Sequence, residues 1–373
     1  MSERVASPDL SDHETPATNA PATDKELLWA AENEELLEEF KTGTEELELL
    51  HARIRTLRGF EKHLARLAPS LKKVNLRQNL IGSLSVPTQL EPKIVELADG
   101  GDQAEVKPKA EAVEAEVHYP LEMLTNLEEL DLYDNQLAKI EGLTGLSALQ
   151  SLDLSFNLLR KIANLETLTS LKILYLIQNK ISAIEGLEHL AATLTSVELG
   201  SNRIRRISNL SALTNLTELW LGRNKIIKLE GLSTLVNLKT LSIQSNRIVQ
   251  LEGLEGLFQL EELYISHNGL AKIGDGLAKN VNLRVLDIAS NRIDDLSGIE
   301  CLTKLEELWA NNNQLQVSAF HAIAPALSEA SMPDLTTVYL EGNPLQAEMG
   351  ANYRRKIKLA CPQITQIDAT FAK

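Results

Sequence analysis

The sequence predicts a curved α/β solenoid, with a parallel sheet on its concave face and short helical turns on its convex face. Three observations carry that reading. The pattern L-x-x-L-x-L-x-x-N-x-L recurs with its Asn at 79, 135, 157, 179, 202, 224, 246, 268, 291, 313 and 343, and from Asn135 to Asn313 the step is always 22 or 23 residues. Leucine and isoleucine fill the apolar positions, while aromatics make up only 4% of the chain. After each Asn a second apolar series follows at three-residue steps, as in Leu137, Ile140, Leu143, Leu146 and Leu149. One match arises by chance; eleven in register do not. A repeat of this length marks a leucine-rich-repeat solenoid, in which a single coil cannot bury its own apolar face and stacking supplies the core.

Each element follows from the pattern. Within L-x-x-L-x-L residues alternate in and out as in a short strand, so the coils form one parallel sheet. At about 4.8 Å per strand, twelve coils give an inner face roughly 50 Å long. The three-residue steps suit helical turns on the outer side. The Asn amide has donors and an acceptor, which can satisfy backbone groups where each coil turns inward. The gap from Asn79 to Asn135 is 56 residues, one coil plus a 34-residue insertion. A degenerate first coil contains Leu47, Leu49 and Ile54, with Ala52 in the Asn position. About twelve coils therefore occupy residues 45–346, with a repeat cap over 347–373.

Composition narrows the function. The two cysteines, Cys301 and Cys361, form no CxxC, and the seven histidines are scattered. This speaks against a metal site or a disulfide framework and suits a reducing compartment. No apolar run reaches the ~18 residues a membrane span needs, and the N-terminus lacks a signal-peptide core. Location in nucleus and cytoplasm, with no membrane partner, is the expectation. The net charge of −15 is unevenly placed. Residues 1–50 carry a net −11 and residues 85–120 a net −5, which leaves the rest at +1. No strongly basic nucleic-acid footprint exists.

Residues 1–44 form an acidic tail. Its first 23 residues have the composition of a disordered segment. Thr23-x-x-Glu26 resembles a capping box and Gly43 a helix stop, which predicts a helix over 24–42. Trp29, Leu36, Leu37 and Phe40 share one face, either as a cover for the open end of the solenoid or as a partner-binding amphipathic helix. Residues 85–120, with four prolines and Gly100-Gly101, read as a mobile loop extruded between two coils. Near the C-terminus Met349, Tyr353, Ile357 and Ala360 form a helical stripe that Pro362 ends, and Ile364 and Ile367 follow; this closes the last apolar layer. Arg354-Arg355-Lys356 reads as the solvated face of that helix.

No nucleophile–base motif and no phosphate-cradling glycine loop occurs, so the chain is expected not to be an enzyme and to use no cofactor. A row of bases follows the Asn ladder at Lys180, Arg203, Lys225, Arg247 and Arg292. It reads as a solvated edge rather than a phosphate-tracking ridge, because no stacking aromatics are interleaved with it. The fifth position of L-x-x-L-x-L is more informative. Down the coils it holds Asn75, Asp131, Asp153, Tyr175, Glu198, Trp220, Ser242, Tyr264, Asp287, Trp309 and Tyr339. Aromatics and acids at this inward-facing position are poor choices for solubility and good ones for a protein-binding hot spot; the competing reading is a ladder of rings packing on neighbouring strands.

The strings LEELDLYDNQ, LDLSFNLLR, ELGSNRIR, LYISHNG, LDIASNRI, TVYLEGNPLQ, YRRK and QIDATF resemble the regulatory subunit 7 family of protein phosphatase-1, built from 22-residue leucine-rich repeats closed by a C-terminal repeat cap. The resemblance runs over about residues 45–373, interrupted by the insertion. It implies a noncatalytic subunit that binds the protein phosphatase-1 catalytic subunit through its concave face. The matching contact positions are Asp153, Tyr175, Glu198, Trp220, Asp287, Glu307, Trp309 and Tyr339. Tyr175 and Trp220 stand where the family has Phe. The family is also linked to a phosphatase inhibitor protein in a ternary complex and to nuclear and mitotic roles. The acidic insertion is not part of its pattern. The common short phosphatase-docking motif (a basic residue, Val, any residue, then Phe or Trp) is absent; Lys73-Val74-Asn75-Leu76 comes nearest, but Val74 and Leu76 are core positions. A scaffold of another complex, of spliceosomal or axonemal type, is the alternative.

Overall fold

The computed structural model describes residues 24–88 and 117–371. The predicted disordered tail, its capping Thr23 and most of the acidic loop lie outside the described residues. Twelve coils stack, each giving one three-residue strand, from Glu46–Glu48 in coil 1 to Thr337–Tyr339 in coil 12. All twelve pair in parallel and position by position, so Leu47 faces Val74, Val74 faces Leu130, and Leu241 faces Leu263. The middle residue of each strand points into the core and is almost wholly buried. The convex side consists of turns closed by i+3 bonds, such as Leu146 N–H to the Leu143 carbonyl. Short 3-10 helices at Glu188–Leu190 and Gly274–Leu277 punctuate these turns, and the longer coils carry α-helices α2 (Glu61–Leu67) and α3 (Val317–Ile323), the first of them after α1 (Asp24–Glu38).

The Asn ladder fastens the coils. The Asn224 Nδ2 donates to the carbonyls of Leu221 (3.1 Å) and Gly222 (3.3 Å) in its own coil and of Leu199 (2.9 Å) in the coil before. Its Oδ1 accepts from the Ile204 N–H at 3.0 Å. The same set recurs from Asn79 to Asn343. Each Asn is aimed inward by the residue before it. That eighth position is left-handed in every coil, from His51 (φ 52°) through Arg223 (φ 55°) to Gly342 (φ 70°). A second left-handed position lies in the convex turn. At Gly253 (φ 73°) a Cβ would come within 2.4 Å of the Leu229 carbonyl below. Asn164 and Asn209 adopt the same conformation and donate Nδ2 to the Ile140 and Ile184 carbonyls, both at 2.7 Å.

The ends are closed by different means. Helix α1 stops four residues short of the predicted 42, in a turn that leads to Gly43 (φ 93°). It lies over the first coil: Leu37 is buried, and the Asn33 amide donates to the Thr56 and Arg58 carbonyls at 2.9 Å. At the other end, helices α4 (Pro344–Met349) and α5 (Tyr353–Ala360) bury Met349, Tyr353 and Ile357. A half-coil strand, Gln366–Ile367, adds in parallel, and Thr370–Phe371 pairs antiparallel to it, which blunts the exposed edge of the sheet. Asp368, in register with Tyr339, caps the last strand with its side chain, accepting from the Leu340 and Glu341 N–H groups at 2.8 and 3.0 Å.

The insertion leaves the ladder intact. Val86–Pro87 and Val117–His118 pair as an antiparallel ribbon, and Leu121 is buried in a short 3-10 helix. The segment 85–120 is thus anchored at both ends by apolar residues rather than extruded from its first residue. Across it the Ile81 N–H still reaches Asn135 Oδ1 at 3.1 Å. Asn224→Ala removes one acceptor and two donors from buried backbone partners. It is expected to cost about 1–3 kcal/mol of stability, since each buried group left unpaired loses its desolvation offset. Urea unfolding followed by circular dichroism measures this, and an unchanged midpoint would contradict the role given to the ladder.

Candidate functional site

The third, fifth and seventh residues of each coil point into the concave face. Direct strand pairing joins the fifth-position residues into one row: Asp153 faces Tyr175, Tyr175 faces Glu198, and Glu198 faces Trp220. Three coils further along, Asp287 faces Trp309 and Trp309 faces Tyr339. Glu307 lies beside Trp309 at the third position of the same strand. All eight candidate residues therefore belong to one surface.

The rings do two things at once. Trp220 and Tyr264 stack at 6.3 Å and 18° although Ser242 stands between them in the row. They lean together over the small side chain, which is why Ser242 is only 1% exposed. Trp309 and Tyr339 meet at 5.2 Å and 44°. The Trp309 indole donates to Glu307 at 3.0 Å, and Gln366 donates to the Tyr339 hydroxyl at 2.7 Å. Each ring keeps one part in contact with a neighbour and another part open. The ladder reading and the binding reading of the row are thus compatible.

Asp287 departs from expectation. It is 8% exposed, wedged between Tyr264 and Trp309, and its Oδ1 accepts from the Ala289 N–H at 3.0 Å. Burial pushes its carboxyl up, against the hydrogen bonds from Ser266 and Ala289. Two large neighbours have closed over a short side chain, so Asp287 supports the backbone turn and is removed from the set of open contact groups.

Charge on this face is compensated at one end only. In the first coils Lys73 lies 3.2 Å from Glu129 and 3.7 Å from Glu46, and Arg77 lies 3.4 Å from Asp131. Along the second position, Lys239 pairs with Glu261 and Arg284 with Glu306. The inward-facing acids from coil 4 onward have only neutral donors among the described residues. Asp153 accepts from the Ser155 N–H at 2.8 Å, Glu218 from the Ser196 hydroxyl at 3.0 Å, and Glu262 from the Tyr264 hydroxyl at 3.2 Å. Burial, followed by the charges of Asp153 and Glu218, holds the Glu198 carboxyl above its ordinary value. Burial and the nearby acids Glu262, Glu307 and Asp287 push the Tyr264 phenol up to about 12. A face with stacked rings and unneutralised carboxylates suits a basic, well-ordered protein surface.

The paired acids Glu128-Glu129 and Glu261-Glu262, which open strands and recur by register, read from the sequence as a surface; Glu218, at the same third position as Glu262, is not singled out. Nor is Phe156, an eighth-position residue that is 39% exposed at φ 56° and packs on Tyr133 at 4.7 Å. Nothing in the apolar pattern marks that position. Among the described residues no group of three or more His, Cys, Asp or Glu could hold a metal ion, and no helix is long and apolar enough to cross a membrane. Because the folded state raises the Glu198 pKa, it binds that proton more tightly than the unfolded chain. The stability linked to this group is present below the unfolded value and is lost as pH rises through the folded one. Glu198→Gln is therefore expected to raise the urea midpoint at pH 7 and to flatten the difference between pH 5 and pH 7; an unchanged pH dependence would refute the electrostatic strain.

Comparison with known proteins agrees with this architecture. A leucine-rich-repeat family model matches residues 105–222, and a model of two leucine-rich-repeat copies matches 214–257, 259–301 and 281–321. An internalin (inlF) of Listeria monocytogenes superposes with a TM-score of 0.61 over 92% of this chain and 94% of its own, at 22% identity. A leucine-rich-repeat protein of Leptospira interrogans does so with a TM-score of 0.51 over 93% and 92%, at 20% identity. Both likenesses concern the fold. Among curated proteins, a 41-residue stretch is 63% identical to protein phosphatase 1 regulatory subunit 7 of Xenopus tropicalis, covering 11% of each chain. A 56-residue stretch is 48% identical to protein phosphatase 1 regulatory subunit SDS22 of Schizosaccharomyces pombe, covering 15% of this chain and 16% of that one. The matched stretches thus span about a tenth to a sixth of those relatives.

Proposed function

We propose that this leucine-rich-repeat solenoid is a noncatalytic regulatory subunit that grips the protein phosphatase-1 catalytic subunit on its concave face, in nucleus and cytoplasm. The observation that supports it most is the row of half-open rings set among carboxylates that, from coil 4 onward, form no ion pair among the described residues. Such a surface is costly to leave bare and is complementary to a basic partner. The local similarity to phosphatase regulatory subunits narrows the partner class. Trp220 and Trp309 lie four coils apart, about 19 Å at the usual strand spacing, so one globular partner touches both. Tyr175, Tyr339 and Glu307 extend that contact along the row, and Asp153 and Glu198 orient the encounter by charge. The resemblance noted above extends the reading to an inhibitor protein joining in a ternary complex.

Trp220→Ala and Trp309→Ala are each expected to weaken binding of the purified phosphatase catalytic subunit by about 30-fold or more, since truncating an interface anchor costs roughly 2 kcal/mol. Each also loses a ring–ring contact worth about 0.5–1.5 kcal/mol, so a small drop in stability accompanies it. Glu307→Lys should weaken binding more at low salt than at high salt. Arg203→Ala and Arg247→Ala, on the basic edge, should bind as wild type. Isothermal titration with circular dichroism on each variant measures this. Wild-type affinity in both Trp variants, with loss in the arginine variants, would move the site to the basic edge.

A further inference from the structure

The concave face is not uniformly filled. Beside Trp220 lies a hollow of about 280 Å³ whose floor is made by Gly200 and Gly222, the seventh residues of coils 6 and 7. Glu198 and Trp220 form one side, and Phe156 and Arg223 line the rim. That lies at the small end of ligand-sized sites, which start at about 300 Å³, and leaves room for a side chain from a partner surface.

The fold does not require glycine at 200. Its φ lies outside the left-handed range, and a Cβ there would meet nothing nearer than the Gly222 carbonyl oxygen at 3.5 Å, an ordinary contact. A Cβ at Gly222 would press only on the flexible end of Gln244, at 3.1 Å. The seventh position carries Tyr133, Ile177 or Gln244 in some coils and Ser155, Ser266 or Ala289 in others, and the two glycines in succession leave no side chain there at all. Phe156 on the rim is the opposite case. Its position is left-handed in every coil, a conformation a bulky residue disfavours, yet it carries a phenyl ring braced by Tyr133 and open toward the hollow. A missing layer below and a disfavoured ring above both shape a cavity that the solenoid itself does not need.

The lining decides the guest. Glu198 is half-buried, has no cation among the described residues, and stands near Asp153 and Glu218. The single cation of the lining, Arg223, is exposed on the rim and so is screened by water. Trp220 and Phe156 each leave part of a ring at the opening, the rest being engaged by Tyr264 and Tyr133, and a ring attracts a cation held against its open face. We infer that this hollow is a socket for one lysine or arginine side chain of the bound phosphatase, seated over Gly200 and Gly222 beside Trp220 with its charge on Glu198. The inference rests on the concave-face reading above and adds to it a depth and a chemistry that the row of contact residues does not contain.

The test uses the full chain and the purified phosphatase catalytic subunit in isothermal titration. Gly200→Leu fills the socket from its floor and is expected to weaken binding about tenfold or more while the thermal unfolding midpoint stays near wild type. Phe156→Asn, a residue at ease in the left-handed region, is expected to keep or raise that midpoint and still weaken binding several-fold. Glu198→Gln identifies the guest. Combined with single alanine substitutions of the phosphatase's surface lysines and arginines, it should abolish the effect of one of them and leave the others additive. Trp309→Ala serves as the reference for the wider face. Wild-type affinity in Gly200→Leu and Phe156→Asn, with weak binding in Trp309→Ala, would overturn the socket while the concave site stands. Wild-type affinity in all three would overturn both. If Gly200→Leu lowers the unfolding midpoint, Phe156→Asn and the Glu198→Gln cycle decide alone, and a cycle that couples instead to an acidic phosphatase residue would show Arg223 to be the host.

Discussion

The whole molecule hangs on a hydrogen-bonding problem that every coil must solve in the same way. A chain that turns inward after each short strand buries carbonyls and N–H groups that no strand pairing can reach. The ladder Asn reaches them, bonding its own coil and the one before it through a single amide. That solution imposes a second requirement, since the preceding residue must be left-handed to swing the amide inward. Together these fix where each coil begins relative to the last. The one-to-one strand register, the inward leucines and the constant period then follow.

Such rigidity in the frame is what frees the inner surface. Strand residues three, five and seven project into the concavity at fixed intervals, so changing them alters the surface without altering the coil. The chain uses that freedom unevenly. Near its N-terminal end the inward acids are paired with Lys73 and Arg77. Further along they are left with hydroxyl, indole and backbone donors. Burial, and then the neighbouring acids, raise the Glu198 carboxyl and Tyr264 phenol pKa values. A basic protein surface set against these acids would offset their mutual repulsion.

The fold was legible because the residues that build it repeat. Leucine at the first, fourth and sixth positions and Asn at the ninth define coil, strand and core without any reference to neighbours in space. The row holding Trp220, Trp309 and Tyr339 was legible for the same reason. What escaped were features that depend on how adjacent coils differ. Asp287 sits in the open row by pattern, yet Tyr264 and Trp309 close over it. Ser242 disappears beneath two leaning rings. The left-handed eighth position leaves no apolar signature, because His51, Gln78, Arg223 and Ser245 all adopt it, so nothing marks Phe156. The ends of the 85–120 segment hold buried residues, Val86 and Pro120, which a composition rich in proline and acids concealed.

That the coils on either side of the insertion remain bonded to each other, with the Asn135 amide still donating to the Leu76 carbonyl at 2.9 Å, makes the junction a natural port in the scaffold. The two-strand ribbon delivers the chain outward and returns it to nearly the same place, so cargo added there is invisible to the stack. A lineage could load, lengthen or replace that cargo, and an engineer could splice in a reporter or a tether, without renegotiating the curvature that shapes the inner surface. The junction and the inner surface thus occupy separate channels of one chain, and each can change at its own pace.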